Sequence, residues 1–420
     1  MVNARLRFPS KNAIQDVRNA WKALRFLQPG IAVELHGDEK RYHPIRDESM
    51  LEAWCDATFR VETEALAADD LFKRHVRMAG PQATCHWIPA TNQIALMASH
   101  WRWDARGASW VLNDLLKELG GPSSPPDFTG AEVKNLPFSF EEALRIPDTW
   151  DPTWEQRGRD LQALESQGGP GIALRPSYPD VLPGDTIRTE VVLSTEETTA
   201  LRAGARAYGL TVTPVLNASA IVETALVNAE SSATRFKSFG LFDLRKYCAP
   251  PSNGPRDASA LRIHFLPINV DAHASWKELT PLLSAFYRQS WDSKCNDAIF
   301  SRVPYIEANH KMGKMAPPDA AQLSEPMINS LGVIEDYIQH RYGAIEVEDV
   351  SYSNLALGKQ IAIQVFTWRG KMHLSASFNE AFYTSDFVGD FLQAIKSNTF
   401  TNLGISSEGR PQRRDRDEVL

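Results

Sequence analysis

The chain has 420 residues, of which 43% are hydrophobic and 23% are charged, and its formal net charge is -7. This composition is typical of a folded globular protein of two to three domains and argues against disordered or coiled-coil classes. Acidic residues outnumber basic ones, 52 to 45, so the chain offers no general attraction to nucleic-acid phosphates. It also contains no run of about 18 apolar residues. We therefore expect a cytoplasmic protein that contacts neither nucleic acid nor membrane.

The first part of the chain predicts helices alternating with strands. Apolar residues recur at helical spacing from Ser10 up to Pro29, and Ile31–Leu35 then has the pattern of a buried strand. A short apolar strand is predicted over Gln93–Ser99, and a helix over Ala108–Leu119. The polar stretch between these two elements gives the local order strand, loop, helix.

Prolines and glycines recur between Pro122 and Asp185 and predict a long connection that contains one helix near Trp154–Glu165. The charged tail lacks periodicity and is predicted to be disordered. These features divide the chain into a first lobe over residues 1–150, a linker over 151–185, a second lobe over 186–405 and a tail over 406–420.

The second lobe contains three clear local signals. These are a strand over Thr186–Leu193 followed by a capping box of Ser194 and Glu197, a helix that starts at Thr213-Pro214, and a β-hairpin that turns at Trp368-Arg369-Gly370. Both lobes therefore mix helices with strands.

Two His-x-x-x-Asp spacings occur, at His43 with Asp47 and at His100 with Asp104. The first contains a proline and lies in a polar turn with no strong helix expected behind it. At the second, a strand delivers the imidazole at its end, Gly107 allows a tight turn and a helix closes the loop. A neutral imidazole is suited to removing a proton from a hydroxyl or amine. His100 is thus the candidate general base, and the alternative is a buried histidine with all its hydrogen bonds made.

The neighbours of His100 have other predicted roles. The Asp104 side chain is too short to serve as a second base, and we expect it to pair with an arginine and fix the loop. Trp103 is a candidate substrate contact, but a tryptophan at this position is more often a packing residue. The histidines are scattered without metal-ligand spacing, and no metal is expected.

The stretch Ser99-His100-Trp-Arg-Trp-Asp104-Ala105 resembles the His-His-x-x-x-Asp-Gly motif of the chloramphenicol acetyltransferase-like superfamily. This superfamily includes peptide-synthetase condensation domains and CoA-dependent acyltransferases, and the chain is most similar to fungal trichothecene 15-O-acetyltransferase-like proteins. The other segments that carry the resemblance are Trp21–Ala32, Phe239–Arg245, Asn329–Ile334 and Phe378–Tyr383. The resemblance implies an α/β fold of two lobes, each a sheet with helices, that meet along a tunnel.

The resemblance also implies a reaction. His100 would act as general base while an acyl group moves from a CoA or carrier-protein thioester to a hydroxyl, or an amine, of a small natural product, without a covalent enzyme intermediate. Arg245 and Asp243 would brace the Asp104 loop or shape the thioester channel, with an ordinary ion pair at the surface or at the lobe interface as the alternative. The resemblance puts Asp243, Asn379 and Tyr383 near the tunnel as candidate substrate contacts, although burial of Asn379 for backbone hydrogen bonding is equally plausible. We expect a monomer with no bound cofactor.

Two departures from the motif keep other functions open. Ser99 replaces the first histidine and Ala105 replaces the glycine, for which Gly107 would compensate two residues later. One alternative is therefore a scaffold of this class that cyclises a polyketide or terpenoid intermediate instead of transferring an acyl group. The other is a binding protein without catalysis, since a fold does not fix a function.

Overall fold

A computed structural model describes residues 1–75, 80–122, 125–149, 151–178, 181–288, 300–315 and 325–405. The tail over 406–420 lies outside the described residues. The helices of the described chain are α1 (Ala13–Leu27), α2 (Glu48–Thr58), α3 (Ala68–His75), α4 (Ala105–Gly120), α5 (Phe140–Leu144), α6 (Pro152–Ser166), α7 (Thr195–Ala207), α8 (Val212–Val227), α9 (Trp276–Tyr287), α10 (Arg302–Met315) and α11 (Ser385–Asn402). The strands are β1 (Val2–Arg7), β2 (Glu34–His36), β3 (Glu39–Arg41), β4 (Phe59–Val61), β5 (Thr84–Ile88), β6 (Gln93–Met97), β7 (Thr186–Val192), β8 (Arg235–Asp243), β9 (Ile263–Asp271), β10 (Met327–Val333), β11 (Arg341–Tyr342), β12 (Ile345–Tyr352), β13 (Ala362–Trp368) and β14 (Lys371–Asn379).

The first sheet has six strands in the order β11-β12-β1-β6-β5-β4. Its central strand β1 pairs antiparallel with β6 on one side and with β12 on the other. Two of its strands, β11 and β12, come from the last fifth of the chain. They belong to the predicted second lobe in sequence but pair within the sheet of the first lobe. The boundaries at 150 and 185 stay a prediction, with the qualification that residues 1–150 alone do not build the first sheet.

The second sheet has four strands in the order β10-β13-β14-β7. Its centre is the predicted hairpin, which is confirmed: β13 and β14 pair antiparallel, and the turn residues Arg369 and Gly370 have φ of 50° and 73°. Positive φ at both turn residues matches the right-handed twist of the strands. The predicted capping box is also confirmed, with Ser194 and Glu197 satisfying each other's backbone N–H groups at the start of α7.

Two large hydrophobic cores accompany the two sheets. The first includes Trp21 of α1 and Leu112 of α4, and the second includes Leu216 of α8 and Leu374 of β14. Phe366, on β13 of the second sheet, packs into the first core, so the two lobes share a packed boundary. The prediction of an α/β fold with two lobes is confirmed, and the tunnel between them stays a prediction.

Two elements differ from their predictions. Ile31–Leu35 is not a buried strand, because Pro29–Ala32 forms a 3-10 turn and the exposed β2 that follows pairs only with the short β3. The helix predicted to begin at Thr213-Pro214 begins slightly earlier, at Val212, and Thr211 in the N-cap position makes no side-chain capping hydrogen bond. Proline is tolerated anywhere in the first helical turn, where its missing N–H would have no partner.

The discarded motif at His43 also differs from its prediction. Asp47 caps α2, its side chain accepting the backbone N–H of Met50, so a helix does follow this motif. Asp104 caps α4 in the same way. The aspartate of a His-x-x-x-Asp spacing is therefore a helix cap at both positions, and the cap alone does not distinguish the two histidines.

Among the described residues, no single helix is long and apolar enough to cross a membrane. The pair α7 and α8 passes that test of length and composition only when taken together, and the two helices are bent by 95° relative to each other.

Candidate active site

His100 lies in the turn between β6 and α4, and its side chain is exposed. The alternative of a buried histidine therefore does not apply. Its Nδ1 atom is 3.1 Å from the backbone carbonyl oxygen of Trp103. A carbonyl oxygen only accepts hydrogen bonds, so the hydrogen of the neutral ring belongs on Nδ1. The Nε2 atom then carries the free lone pair, which is the arrangement that a general base requires.

Asp104 is nearly fully buried and holds the other end of the turn. Its Oδ1 atom accepts the backbone N–H of Gly107 at 2.9 Å, and its Oδ2 atom accepts that of Arg262 at 2.8 Å. Burial on its own would raise the pKa of Asp104, but the Arg245 guanidinium and the two backbone N–H groups together hold the pKa below its ordinary value. Asp104 is thus a fixed anion whose carboxylate binds Arg245 and the two backbone N–H groups, and it does not serve as a base.

Arg245 is the arginine that the sequence predicted for this loop. Its Nη1 atom lies 2.9 Å from both carboxylate oxygens of Asp104 and 3.1 Å from Asp243, and only 2% of its side chain is exposed. Burial on its own would lower the pKa of Arg245. Its two carboxylate partners raise this pKa instead, and Asp104 has the larger effect of the two. The pair is therefore buried at the lobe boundary, which excludes a surface ion pair but agrees both with the predicted bracing role and with the alternative of an ion pair at the lobe interface.

Asp243 is partly exposed and completes this charged group. Besides Arg245, it pairs with the Arg106 guanidinium, which lies over the Tyr337 ring at 4.7 Å. The sequence reasoning missed Arg106, although its place directly after the motif, two residues beyond Asp104, was a usable signal. It also missed Arg262, which contributes a backbone N–H that any residue except proline could supply.

Gly107 lies in the first turn of α4, not in a flexible loop, so the expected compensation for Ala105 is wrong. A Cβ atom at this position would overlap the carbonyl oxygen of Ala258 and come within 3.1 Å of the Arg245 guanidinium. Glycine is needed here because the helix start packs directly against the second lobe. The helix begins at Ala105, where an alanine is readily accepted.

Asn379 uses all of its hydrogen-bonding capacity on the backbone. Its amide nitrogen donates to the carbonyl oxygens of Gly184 and Ala356, and its Oδ1 atom accepts the N–H groups of Gly184 and Ala381. No donor or lone pair is left for a substrate. The predicted substrate contact is therefore corrected to a structural residue that fixes the chain at the end of β14.

Tyr383 and Trp103 are likewise structural in this arrangement. The Tyr383 hydroxyl contacts the carbonyl oxygens of Lys359 at 2.8 Å and Leu174 at 3.2 Å, and its side chain is almost fully buried. The Trp103 indole belongs to the first hydrophobic core. The backbone carbonyl of Trp103 contacts His100. The burial of both side chains does not support their predicted substrate role.

A scan against protein-family models finds no match. The chain is 27% identical to acetyltransferase pigO of Monascus ruber, an alignment that covers 97% of this chain and 91% of that protein. It is 28% identical to O-acetyltransferase pigM of the same organism, over 92% of this chain and 77% of that protein. These relatives support acyltransferase activity.

The fold is similar to those of two solved enzymes. For trichothecene 15-O-acetyltransferase TRI3 from Fusarium sporotrichioides, the TM-score is 0.78 at 17% identity, covering 95% of this chain and 89% of that one. For the nonribosomal peptide synthetase FmoA3, the TM-score is 0.63 at 16% identity, covering 97% of this chain and 41% of that one. The resemblance read from the motif around His100 is thereby confirmed, and the chain shares the two-lobed fold of these solved structures.

Proposed function

We propose that this protein is an O-acyltransferase that moves an acetyl or other short acyl group from a thioester to a hydroxyl of a small natural product. The donor is acyl-CoA or a carrier-protein thioester, and the enzyme acts in the cytoplasm. His100 is the general base, and Asp104, Gly107 and Arg245 hold the loop that carries it.

One observation carries the proposal, the contact between Nδ1 of His100 and the Trp103 carbonyl oxygen. It assigns the proton to Nδ1 and leaves Nε2, on an exposed ring, free to accept another proton. A buried, ion-paired Asp104 at the other end of the loop keeps the turn in place without competing for that proton.

The proton balance of the reaction then needs only one side chain. The acceptor hydroxyl loses its proton to Nε2 of His100 as its oxygen attacks the thioester carbonyl carbon. The resulting tetrahedral oxyanion collapses, the carbon–sulfur bond breaks, and the leaving thiolate takes the proton from the imidazolium. His100 returns to its neutral form with the hydrogen still on Nδ1.

The test uses acetyl-CoA with a library of hydroxylated polyketides and terpenoids, and mass spectrometry of the products. The wild-type protein is expected to give products that are heavier by one acetyl group. His100→Ala should lower kcat/KM by at least about 100-fold, the contribution typical of a positioned base, without a change in melting temperature.

The discarded motif supplies a matched control, because His43 is exposed and has the same spacing to an aspartate that caps a helix. His43→Ala should retain wild-type activity. Full transfer activity in His100→Ala would overturn the proposal. Products isomeric with their substrates would instead support the cyclase alternative, and binding without turnover would support a non-catalytic protein.

A further inference from the structure

Arg102, between His100 and Asp104 in sequence, is a buried arginine that donates hydrogen bonds to backbone carbonyl oxygens and lies over the Trp101 ring, 4.4 Å from its centre. Its side chain is 1% exposed. Its Nη1 atom donates to the carbonyl oxygen of Gly30 at 2.6 Å and its Nη2 atom donates to that of Pro81 at 2.8 Å. Within the part of the chain that the structure describes, neither hydrogen-bonded partner is a carboxylate.

Keeping a guanidinium in this place is costly. Burial lowers the pKa of Arg102 to about 10, and the negative charge of Glu34 opposes this change. Its Nε atom also lacks a partner among the described residues. The Trp101 ring partly stabilises the guanidinium through a cation–π contact. A buried charge with no carboxylate hydrogen-bonded to it is nevertheless unfavourable compared with an apolar side chain of similar size, so fold stability alone does not account for an arginine here.

The position of Arg102 relative to His100 suggests what the arginine does. Arg102 and Asp104 flank Trp103, whose carbonyl oxygen faces Nδ1 of His100. On the N-terminal side of Trp103, Arg102 is hydrogen-bonded to the Gly30 and Pro81 carbonyls, in the first part of the chain. On the C-terminal side, Asp104 is bonded to Arg245 and Arg262 of the second lobe.

The Gly30 end of this attachment is itself tightly held. A Cβ atom at Gly30 would come within 2.6 Å of the Ser259 side chain, in the segment whose Arg262 N–H binds Asp104. The two attachments of the loop therefore meet at one packed boundary between the lobes. A small shift of either one would move the carbonyl that orients the imidazole.

We propose that Arg102 is a positioning residue for catalysis: together with Asp104 it clamps the Trp103 peptide so that the carbonyl keeps the His100 hydrogen on Nδ1. This inference rests on the proposed function, in which His100 is the base. The effect of Arg102 on the tautomer and orientation of the His100 ring is measurable without any substrate.

The test compares Arg102→Met with Arg25→Met. Arg25 is a second buried arginine of the first lobe, it contacts the Tyr42 hydroxyl and the His43 carbonyl, and it lies outside the His100 loop. Both substitutions remove a buried guanidinium and leave oxygen acceptors behind, so both are expected to lower the melting temperature. Only Arg102→Met should affect His100.

Two readouts separate positioning from stability. With acetyl-CoA and an acceptor from the library, Arg102→Met should lower kcat about 100-fold, as expected for a base displaced by about 1 Å, with KM for acetyl-CoA unchanged. In nitrogen NMR spectra of histidine-labelled protein, the His100 signals, identified by their loss in His100→Ala, should change from the Nδ1–H form to a mixture of tautomers. Arg25→Met should leave kcat and the His100 signals as in the wild type.

Arg102→Lys keeps a cation that reaches one carbonyl and should give intermediate values, which preserves the test if the methionine variant folds poorly. The inference is overturned if Arg102→Met and Arg102→Lys match Arg25→Met in kcat and leave the His100 tautomer unchanged. If His100→Ala stays active, the proposed function fails instead, and the NMR comparison still decides whether Arg102 positions the ring.

Discussion

The guanidinium of Arg245 and the carboxylate of Asp104 are in direct contact, with Nη1 at 2.9 Å from each carboxylate oxygen. Both side chains are almost completely buried, at 2% and 4% exposure. The contact joins the loop that carries His100 to the segment that follows β8. Removing the Asp104 charge would leave the buried Arg245 with the partly exposed Asp243 as its remaining carboxylate partner among the described residues. Breaking a buried pair in this way costs far more than the pair itself contributes.

Asp104→Asn should therefore lower the free energy of unfolding by about 3 kcal/mol. The asparagine side chain can still accept the Gly107 N–H, so the helix cap is kept and the loss is due to the charge. Urea unfolding at pH 7 measures the change. Asp349→Asn is the matched control, because its ion pair with Arg5 is exposed and should cost at most about 1 kcal/mol. Equal losses in the two variants would contradict the prediction.

The same pair predicts how stability depends on pH. Because the pKa of Asp104 is lower in the folded protein than in the unfolded chain, its stabilisation is fully present above the unfolded value of about 4. That stabilisation is lost as the pH falls through the folded pKa, where the folded state takes up the proton. The difference in unfolding free energy between wild type and Asp104→Asn should be constant from pH 7 to about pH 5 and narrow below about pH 4. A difference that stays constant down to pH 2 would show that the carboxylate is not stabilised in this way.

Gly107→Ala tests the close approach of α4 to the second lobe. The added Cβ would overlap the Ala258 carbonyl oxygen, and overpacking of this kind costs about 1 to 3 kcal/mol. The control is Gly389→Ala in α11, where nothing lies within 4 Å of the added atom, so helix propensity alone should stabilise that variant by about 0.5 to 1 kcal/mol. Opposite shifts in melting temperature are expected. Stabilisation of both variants would mean that the two lobes do not touch at Gly107.

Local signals in the sequence predicted local structure well, and long-range pairing less well. The capping box at Ser194 and the Arg369-Gly370 turn depend on neighbouring residues, so their patterns are visible in a single sequence. The return of β12 to pair with β1 leaves no such pattern, because strand partners distant in sequence are chosen by the packing of the whole sheet.

The candidate site shows the same division. The spacing of His100 and Asp104 also occurs at His43 and Asp47, so the pair stands out through its strand-loop-helix setting and the family resemblance, which also added Arg245. The Arg262 N–H and the carbonyls that hold Arg102 are backbone groups, which carry no mark in the sequence. Asn379 was ambiguous from sequence because buried amides serve structure and substrate binding alike, and only its four backbone contacts decide between the two.

Gln364 is a buried amide without hydrogen-bond partners in the described structure. In contrast to the substitutions at Asp104 and Gly107, replacing it is expected to stabilise the fold. It lies on β13 between Asn329 of β10 and Ser375 of β14, with 1% of its surface exposed. Neither its Nε2 nor its Oε1 atom has a hydrogen-bond partner among the described residues. An unsatisfied buried polar group costs about 1 to 3 kcal/mol.

Gln364→Leu should therefore raise the free energy of unfolding by about 1 kcal/mol, the cost of the unsatisfied amide less a small packing loss. Asn379→Leu is the comparison, because it replaces a buried amide of the same sheet whose four hydrogen bonds are all made. That variant should lose at least about 2 kcal/mol, since the Gly184, Ala356 and Ala381 backbone groups would be left unpaired. Urea unfolding of both variants measures whether the free energy of unfolding rises in Gln364→Leu and falls in Asn379→Leu. If Gln364→Leu is destabilised to a similar extent, the Gln364 amide has partners in solution and is not an unsatisfied group.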